Sequence, residues 1–388
     1  MMKPMLRFKN FYNDWEEIEL SKIASEISYG MNAASKEYDG ENKYIRITDI
    51  DETTNKYIHK NIVSPDGDLE RKFLVKENDI LFARTGASTG KTYLYDKNDG
   101  KLYYAGFLIK ANIINHNANF IFQQTKLNKY NSWVKIMSMR SGQPGINSQE
   151  YGSYKFSITS PEEENKVSNF LSLLDKKIEL QSKKIEDLKL FKLYTENKLL
   201  NSSSSVHWKK IKLNDILIEG NKKTVKNTND FKKITIKLNL KGLEFNESKR
   251  EMSDRRPFYI REENEIIIGK QNYFNGSIAI VTKEFSGCIC SNAIMSFKVK
   301  EGYNLKYIYL YLSQKRYMKE REFLANGTGQ KELSEKEFLK FTIKVPEDSV
   351  VNNITNIIDK INKKINFENN KLNKLIELKK GLMQNIFV

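Results

Sequence analysis

The chain has 388 residues, which at roughly 150 per domain points to two or three domains. Lys and Arg number 65 against 49 Asp and Glu, a net charge of +16 spread along the whole length. Such an excess favours an acidic partner, nucleic acid first among them. Two cysteines, Cys288 and Cys290, and three scattered histidines, His59, His116 and His207, provide neither a disulfide framework nor a four-ligand zinc site. No apolar run approaches the ~20 residues that span a bilayer, and residues 1–12 lack a signal-peptide stretch. The expectation is a cytoplasmic chain with no membrane partner.

Taken in chain order, the sequence writes one unit twice. Trp15-Glu-Glu-Ile-Glu-Leu opens the first copy, and Trp208-Lys-Lys-Ile-Lys-Leu opens the second. Residues 79–95 (DILFARTGASTGKTYLY) align without a gap on residues 265–281 (EIIIGKQNYFNGSIAIV) at an offset of 186. Both give an acid, an apolar strand, a basic residue, a polar turn with a shared glycine (Gly90, Gly276) and a second apolar strand. The same offset places residues 105–110 (AGFLIK) on 291–296 (SNAIMS), and an offset of 187 places Gly142-Gln143 on Gly329-Gln330. Each copy closes with a strand ending at a proline, Pro161 or Pro346.

A long helix follows each proline. Leu174, Ile178, Gln181, Ile185 and Leu188 in the first, and Ile358, Ile361, Ile365, Glu368, Leu372 and Leu375 in the second, keep the alternating three-and-four spacing of a coiled-coil seam. The polar exceptions match as well, Gln181 with Glu368 and Lys192 with Lys379, so the helices are expected to pair in one register. A helix of about 40 residues is about 60 Å long. Antiparallel pairing would hold two globular units apart and inverted. The predicted organisation is a first globular unit over 1–160, a helix over 161–200 and a polar linker over 201–206 (NSSSSV), then a second globular unit over 207–346 and a helix over 347–388. The fold class is α+β, with a mixed sheet and short helices in each globular unit.

Catalytic motifs fail on inspection. Residues 86–92 (GASTGKT) are one residue short of a phosphate-binding loop and run into Thr92-Tyr-Leu-Tyr, which reads as strand rather than helix. Pro65-Asp66 and Glu70-Arg71-Lys72 superficially match a metal-dependent nuclease pattern, but three intervening residues leave little chain for separate strands. None of the six prolines neighbours another, which removes the Asn/Asp-Pro-Pro-aromatic stretch of adenine methyltransferases. The three histidines suggest no nucleophilic triad. No catalytic, cofactor-binding or metal-binding residue is assigned.

The turns between paired apolar strands carry the candidate DNA-binding residues. They are Arg84, Thr85, Ser88 and Lys91 in the first copy, and Lys270, Gln271, Asn272, Tyr273 and Asn275 in the second. Side chains of these types grip phosphates or read base edges, Arg on guanine and Gln or Asn on adenine. A second candidate surface comprises Arg140, Ser141 and Gln143 with the equivalent Thr328, Gln330 and Lys331. Equivalent turns of different sequence suit a reader of two different half-sites.

The chain resembles the specificity subunit of type I restriction–modification systems over nearly its whole length. The carriers are Trp15 and Trp208, the DILFARTGASTGK and EIIIGKQNYFNG segments, the SGQPGI and NGTGQKELS loops, and the LLDKKIELQ and IIDKINKKI helices. The resemblance implies that the two globular units are target recognition domains of a non-catalytic subunit that binds a bipartite, asymmetric sequence in double-stranded DNA, one copy per complex. It also implies two methyltransferase subunits docked on the helices, motor-nuclease subunits that join to restrict DNA, and S-adenosylmethionine, ATP and Mg²⁺ on those partners rather than on this chain. The alternatives are a stand-alone nuclease with an unrecognised site and a basic coiled-coil scaffold for nucleic acid.

Overall fold

The structure, a computed structural model, describes residues 3–139, 144–201, 208–246, 256–324 and 332–388. They form two compact units, Met1–Lys183 with Asn370–Val388, and Lys184–Asn369.

The first unit is built on a four-stranded antiparallel sheet with strands in the order Ala24–Tyr29, Leu108–Ile113, Asp79–Ala83 and Thr92–Leu94. Its two central strands are buried at every position, which is why their sequences read as continuous apolar runs rather than alternating ones. Side chains nevertheless alternate between faces. Ile80, Phe82, Ile109 and Ala111 join Trp15, Phe120, Tyr130, Tyr151 and Phe156 in one core. Leu81, Ala83 and Leu108 join Ile45, Ile50, Tyr57, Tyr93 and Tyr104 in another. Each fully buried side chain of this size contributes about 1.5–3 kcal/mol. The strand after Trp15, Glu16–Glu19, pairs antiparallel with the closing strand Lys155–Ile158.

The second unit repeats this plan. Its four-stranded sheet runs Leu217–Glu219, Ile294–Val299, Ile266–Gly269, Ile278–Ile280, and Lys209–Lys212 pairs with Thr342–Val345. The shared glycine has the same cause in both units. Gly90 and Gly276 take φ of +90° and +78°, and a Cβ would lie 2.5 Å from Val134 Cγ1 or 2.9 Å from the Leu240 amide nitrogen. The smaller strand pairs differ. The first unit has Ala34–Glu37 antiparallel to Val63–Asp66 and Lys43–Ile45 parallel to Leu102–Tyr104. The second has two antiparallel pairs, Ile234–Ile236 with Leu243–Phe245 and Phe258–Ile260 with Ile289–Ser291.

The long helices span Pro161–Leu200 and Asp348–Ile386. Proline at the first helical position and Glu162, Glu163 and Glu164 in the first turn suit the helix start. Glu163 is buried there, accepting two bonds from Arg7 at 2.7 Å and one from the Trp15 indole at 3.2 Å. Within each unit the helical segments run antiparallel. In the first, Lys379 pairs with Asp175 at 2.5 Å, and Leu171 shares a core with Met383 and Ile386. In the second, Lys184 pairs with the buried Glu368 at 2.8 Å, and Leu200 shares a core with Val351 and Ile354. Ile185, Ile358, Ile365 and Glu368 are buried, while Leu174, Ile178, Gln181, Leu188, Ile361, Leu372 and Leu375 are half-buried.

A second lysine crowds the Lys379–Asp175 pair. Lys126, with its ammonium 4.3 Å from the Phe122 ring centre, has its pKa lowered to about 8 by burial, with repulsion from Lys379 adding and Asp175 opposing. The unfolded value is about 10.4. The charged form therefore costs the folded state stability below pH 8, and that cost disappears as pH rises towards 10.4. Lys126→Met is expected to stabilise the first unit by about 1–2 kcal/mol at pH 7. Calorimetric melts should show this gain shrinking steadily between pH 8 and pH 10.

Candidate nucleic-acid interface

Where strand Asp79–Ala83 ends, Arg84 is fixed by its backbone. Its amide donates to the Phe107 carbonyl at 3.0 Å, and its carbonyl accepts the Ile146 amide at 2.9 Å. The half-exposed guanidinium lies over the Tyr29 ring, 4.8 Å from its centre, and Nη1 donates to the Gly106 carbonyl at 3.4 Å. The Tyr29 hydroxyl in turn accepts the Ser148 amide at 3.0 Å. Tyr29 is 40% exposed and Phe107 60% exposed. An arginine fork, an aromatic face and a bare phenyl ring thus share one lip, and these are groups that bond to base edges or stack on bases.

The rest of the turn is mostly scaffold. Thr85 bridges to Gly145, the Gly86 amide donates to the Pro144 carbonyl at 2.9 Å, and the Ser88 carbonyl accepts the Lys91 amide at 3.0 Å. Thr85 and Ser88 are half-buried. Lys91 corrects the sequence expectation. Its side chain is only 12% exposed, and Nζ donates to the Ile50 carbonyl at 3.1 Å and faces Glu52 at 3.5 Å. It ties the turn to the neighbouring loop instead of offering a charge to a phosphate. Residues Gly86–Ser88 form a short 3₁₀ turn followed by strand Thr92–Leu94, so the phosphate-loop lookalike lacks the helix start that such a loop needs.

In the second unit the Lys270 amide donates to the Ala293 carbonyl at 3.0 Å, and the Lys270 carbonyl accepts the Leu333 amide at 2.9 Å. Lys270 Nζ stands 4.0 Å from Glu335, whose other carboxylate oxygen bonds Lys222. Gln271, Asn272 and Asn275 are exposed, and Asn275 donates to the Asn272 side-chain oxygen at 3.2 Å. Tyr273 is a second correction. The 3₁₀ turn Tyr273–Asn275 rotates it into the core, where its hydroxyl donates to the Leu312 carbonyl at 2.8 Å and its ring meets Phe274 and Phe338. It is not available to DNA.

Arg140, Ser141, Gln143, Thr328, Gln330 and Lys331 lie outside the described residues. Tyr29, Phe107 and Ser148, and their counterparts in the second unit Lys222, Ala293 and Glu335, were not among the sequence candidates. A signal for part of this set exists, because the repeat offsets place Phe107 on Ala293 and Ser148 on Glu335. Among the described residues no group of three His, Cys, Asp or Glu could hold a metal ion, and no helix is long and apolar enough to cross a membrane.

The model of the type I restriction modification DNA specificity domain matches the chain twice, over residues 12–190 and 205–378. The chain belongs to this family. The HindI type I restriction enzyme specificity subunit of Haemophilus influenzae is 28% identical over 180 residues. That alignment spans 44% of this chain and 37% of the relative. The fold matches that of the S subunit of a type I restriction–modification system from M. genitalium, with a TM-score of 0.60 and 16% identity over 100% of this chain and 99% of the other. A chain from a structure on complex assembly and conformational transition of a type I restriction–modification system gives 0.55 at 12% identity, over 96% and 97%. Both place this specificity-family chain in the same α+β fold with long helices.

The corrected roles are separable by mutation. Tyr273→Phe leaves the buried Leu312 carbonyl short of a donor and is expected to cost about 1–2 kcal/mol of stability, measured by denaturant unfolding. DNA affinity and its salt dependence, measured by fluorescence anisotropy below the new midpoint, should stay at the wild-type values.

Proposed function

We propose that this chain is the DNA-recognition subunit of a type I restriction–modification complex. It does no chemistry itself. Each globular unit binds one half of a bipartite, asymmetric target in double-stranded DNA, and the long helices fix the gap between the halves. Two methyltransferase subunits dock on the helical segments and carry S-adenosylmethionine, and motor-nuclease subunits that use ATP and Mg²⁺ complete the assembly. The observation that carries this reading is a backbone frame that repeats from unit to unit while the side chains on its lip change. One scaffold used twice for one ligand would have no reason to diverge there. The net charge of +16 adds a sequence-independent attraction to phosphate, which weakens steeply with salt.

Comparing the adenine methylation of a strain carrying the gene with that of a strain lacking it tests the reading. One two-part motif should vanish from the genome when the gene is deleted, and an unchanged methylome would refute the role. Inserting four residues, about one turn, into the middle of both long helices should lengthen the gap in that motif while both half-sequences stay as they were. A changed half-sequence with an unchanged gap would refute the division of labour between units and helices.

A further inference from the structure

Three positions are matched in backbone and unmatched in side chain. Arg84 and Lys270 each donate an amide bond of 3.0 Å to the adjacent turn, at Phe107 in one unit and Ala293 in the other, and each accepts a 2.9 Å bond from the chain beyond, at Ile146 or Leu333. Ser148 and Glu335 are the first residues of helices Ser148–Ser153 and Glu335–Leu339, entered through the capping residues Asn147 and Ser334. A fourth side chain reaches each lip from the segment of strands Ala24–Tyr29 and Leu217–Glu219. It is Tyr29 in the first unit, bonded to the Ser148 amide, and Lys222 in the second, bonded to the Glu335 carboxylate.

Beneath the lips the equivalent interior positions stay large and buried. Phe82 corresponds to Ile268, Tyr130 to Tyr317 and Tyr151 to Phe338. Divergence at the lip is therefore not drift of the whole unit. The frame is kept and the chemistry it displays is exchanged.

The two lips display different chemistry. On the first, the Arg84 guanidinium lies over the Tyr29 ring and is tethered by the Gly106 carbonyl, which presets the fork that matches the O6 and N7 acceptors of guanine. Phe107 beside it is 60% exposed, the kind of ring that stacks on or wedges beside a base. On the second, Lys270 and Glu335 are each 21% exposed and set 4.0 Å apart, with Lys222 fixing the other carboxylate oxygen. A donor beside an acceptor is complementary to the major-groove edge of a G·C pair, where guanine accepts and the cytosine N4 amino group donates.

We propose that Arg84 in the first unit, and Lys270 and Glu335 in the second, are the specificity-determining residues of the two half-sites, with Phe107 the stacking platform beside Arg84. Arg84 reads a guanine with Phe107 stacked on the neighbouring base. Lys270 and Glu335 read both partners of one G·C pair. This rests on the reading of the chain as a DNA-specificity subunit and adds which residues select which bases.

The test places Arg84→Gln, Phe107→Ala and Glu335→Gln singly at the native locus and maps the methylated motif in each strain. Arg84→Gln should relax one guanine in one half-site. Phe107→Ala removes a stack that every base can make, so it should lower methylation of all sites alike and relax no base. Glu335→Gln should relax one cytosine in the other half. Each relaxation should fall between about 5-fold and 100-fold in discrimination, with the gap unchanged. Arg84→Lys and Glu335→Asp keep the charge and guard against a variant that simply misfolds; they should keep methylation with intermediate discrimination. A motif that depends on the gene yet is read with wild-type discrimination in the Arg84→Lys and Glu335→Asp strains would overturn the assignment and leave the specificity role standing. Relaxation of both halves by one substitution would also overturn it. A methylome indifferent to deletion of the gene would instead remove the role on which the assignment rests.

Discussion

Burial of the central strands on both faces is the constraint from which the rest follows. Every residue of Asp79–Ala83 and of Ile266–Gly269 is committed to a core, so substitution there creates cavities or strain costing several kcal/mol. The first residue past each strand is released from that commitment. Arg84 and Lys270 sit at this exit, anchored through backbone bonds that any amino acid but proline can make. A scaffold with fixed strands and free exits can change what it binds without changing how it folds.

The interior has not stayed wholly constant. The acid that precedes each central strand is buried in both units, as Asp79 or Glu265. Asp79 accepts the Lys76 amide and the Asn112 side chain at 2.8 Å, and burial pushes its carboxyl above the usual range while the nearby Lys110 opposes the shift. At the position equivalent to Lys110 the second unit has Ser296, and the cation comes instead from Arg261, 3.9 Å from Glu265. Among the described residues, Ser296 Oγ and Glu265 Oε1 are buried with no hydrogen-bond partner from the protein. A buried charge needs compensation, and compensation from more than one direction is compatible with the same sheet.

Much of this was legible in the sequence for physical reasons. The gapless repeat of acid, apolar strand, polar turn and strand reflects a sheet that is the same in both units. The shared glycine reflects a positive φ that other residues rarely adopt. Side-chain direction at the turns was not legible. Lys91 and Tyr273 look like exposed turn residues, but a 3₁₀ turn points Tyr273 inward, and the Ile50 carbonyl lies within reach of Lys91. The lip was also hidden, because Tyr29, Arg84, Phe107 and Ser148 are brought together only by strand order and by the capped start of a short helix. The smaller strand pairs, with only three or four residues each, carry too little periodicity to be read.

If the proposed role is right, the exits of the buried strands face DNA in both units. The assembly purified through a tagged copy of the chain can be photocrosslinked to DNA that carries the gene-dependent motif and 5-bromouracil, and the adducts mapped to peptides. The account predicts adducts on peptides carrying Tyr29, Phe107 or residues 84–88 from the first unit, and on peptides carrying Lys222 or residues 270–275 from the second. Adducts confined to the long helices, or to the smaller strand pairs of either unit, would contradict it.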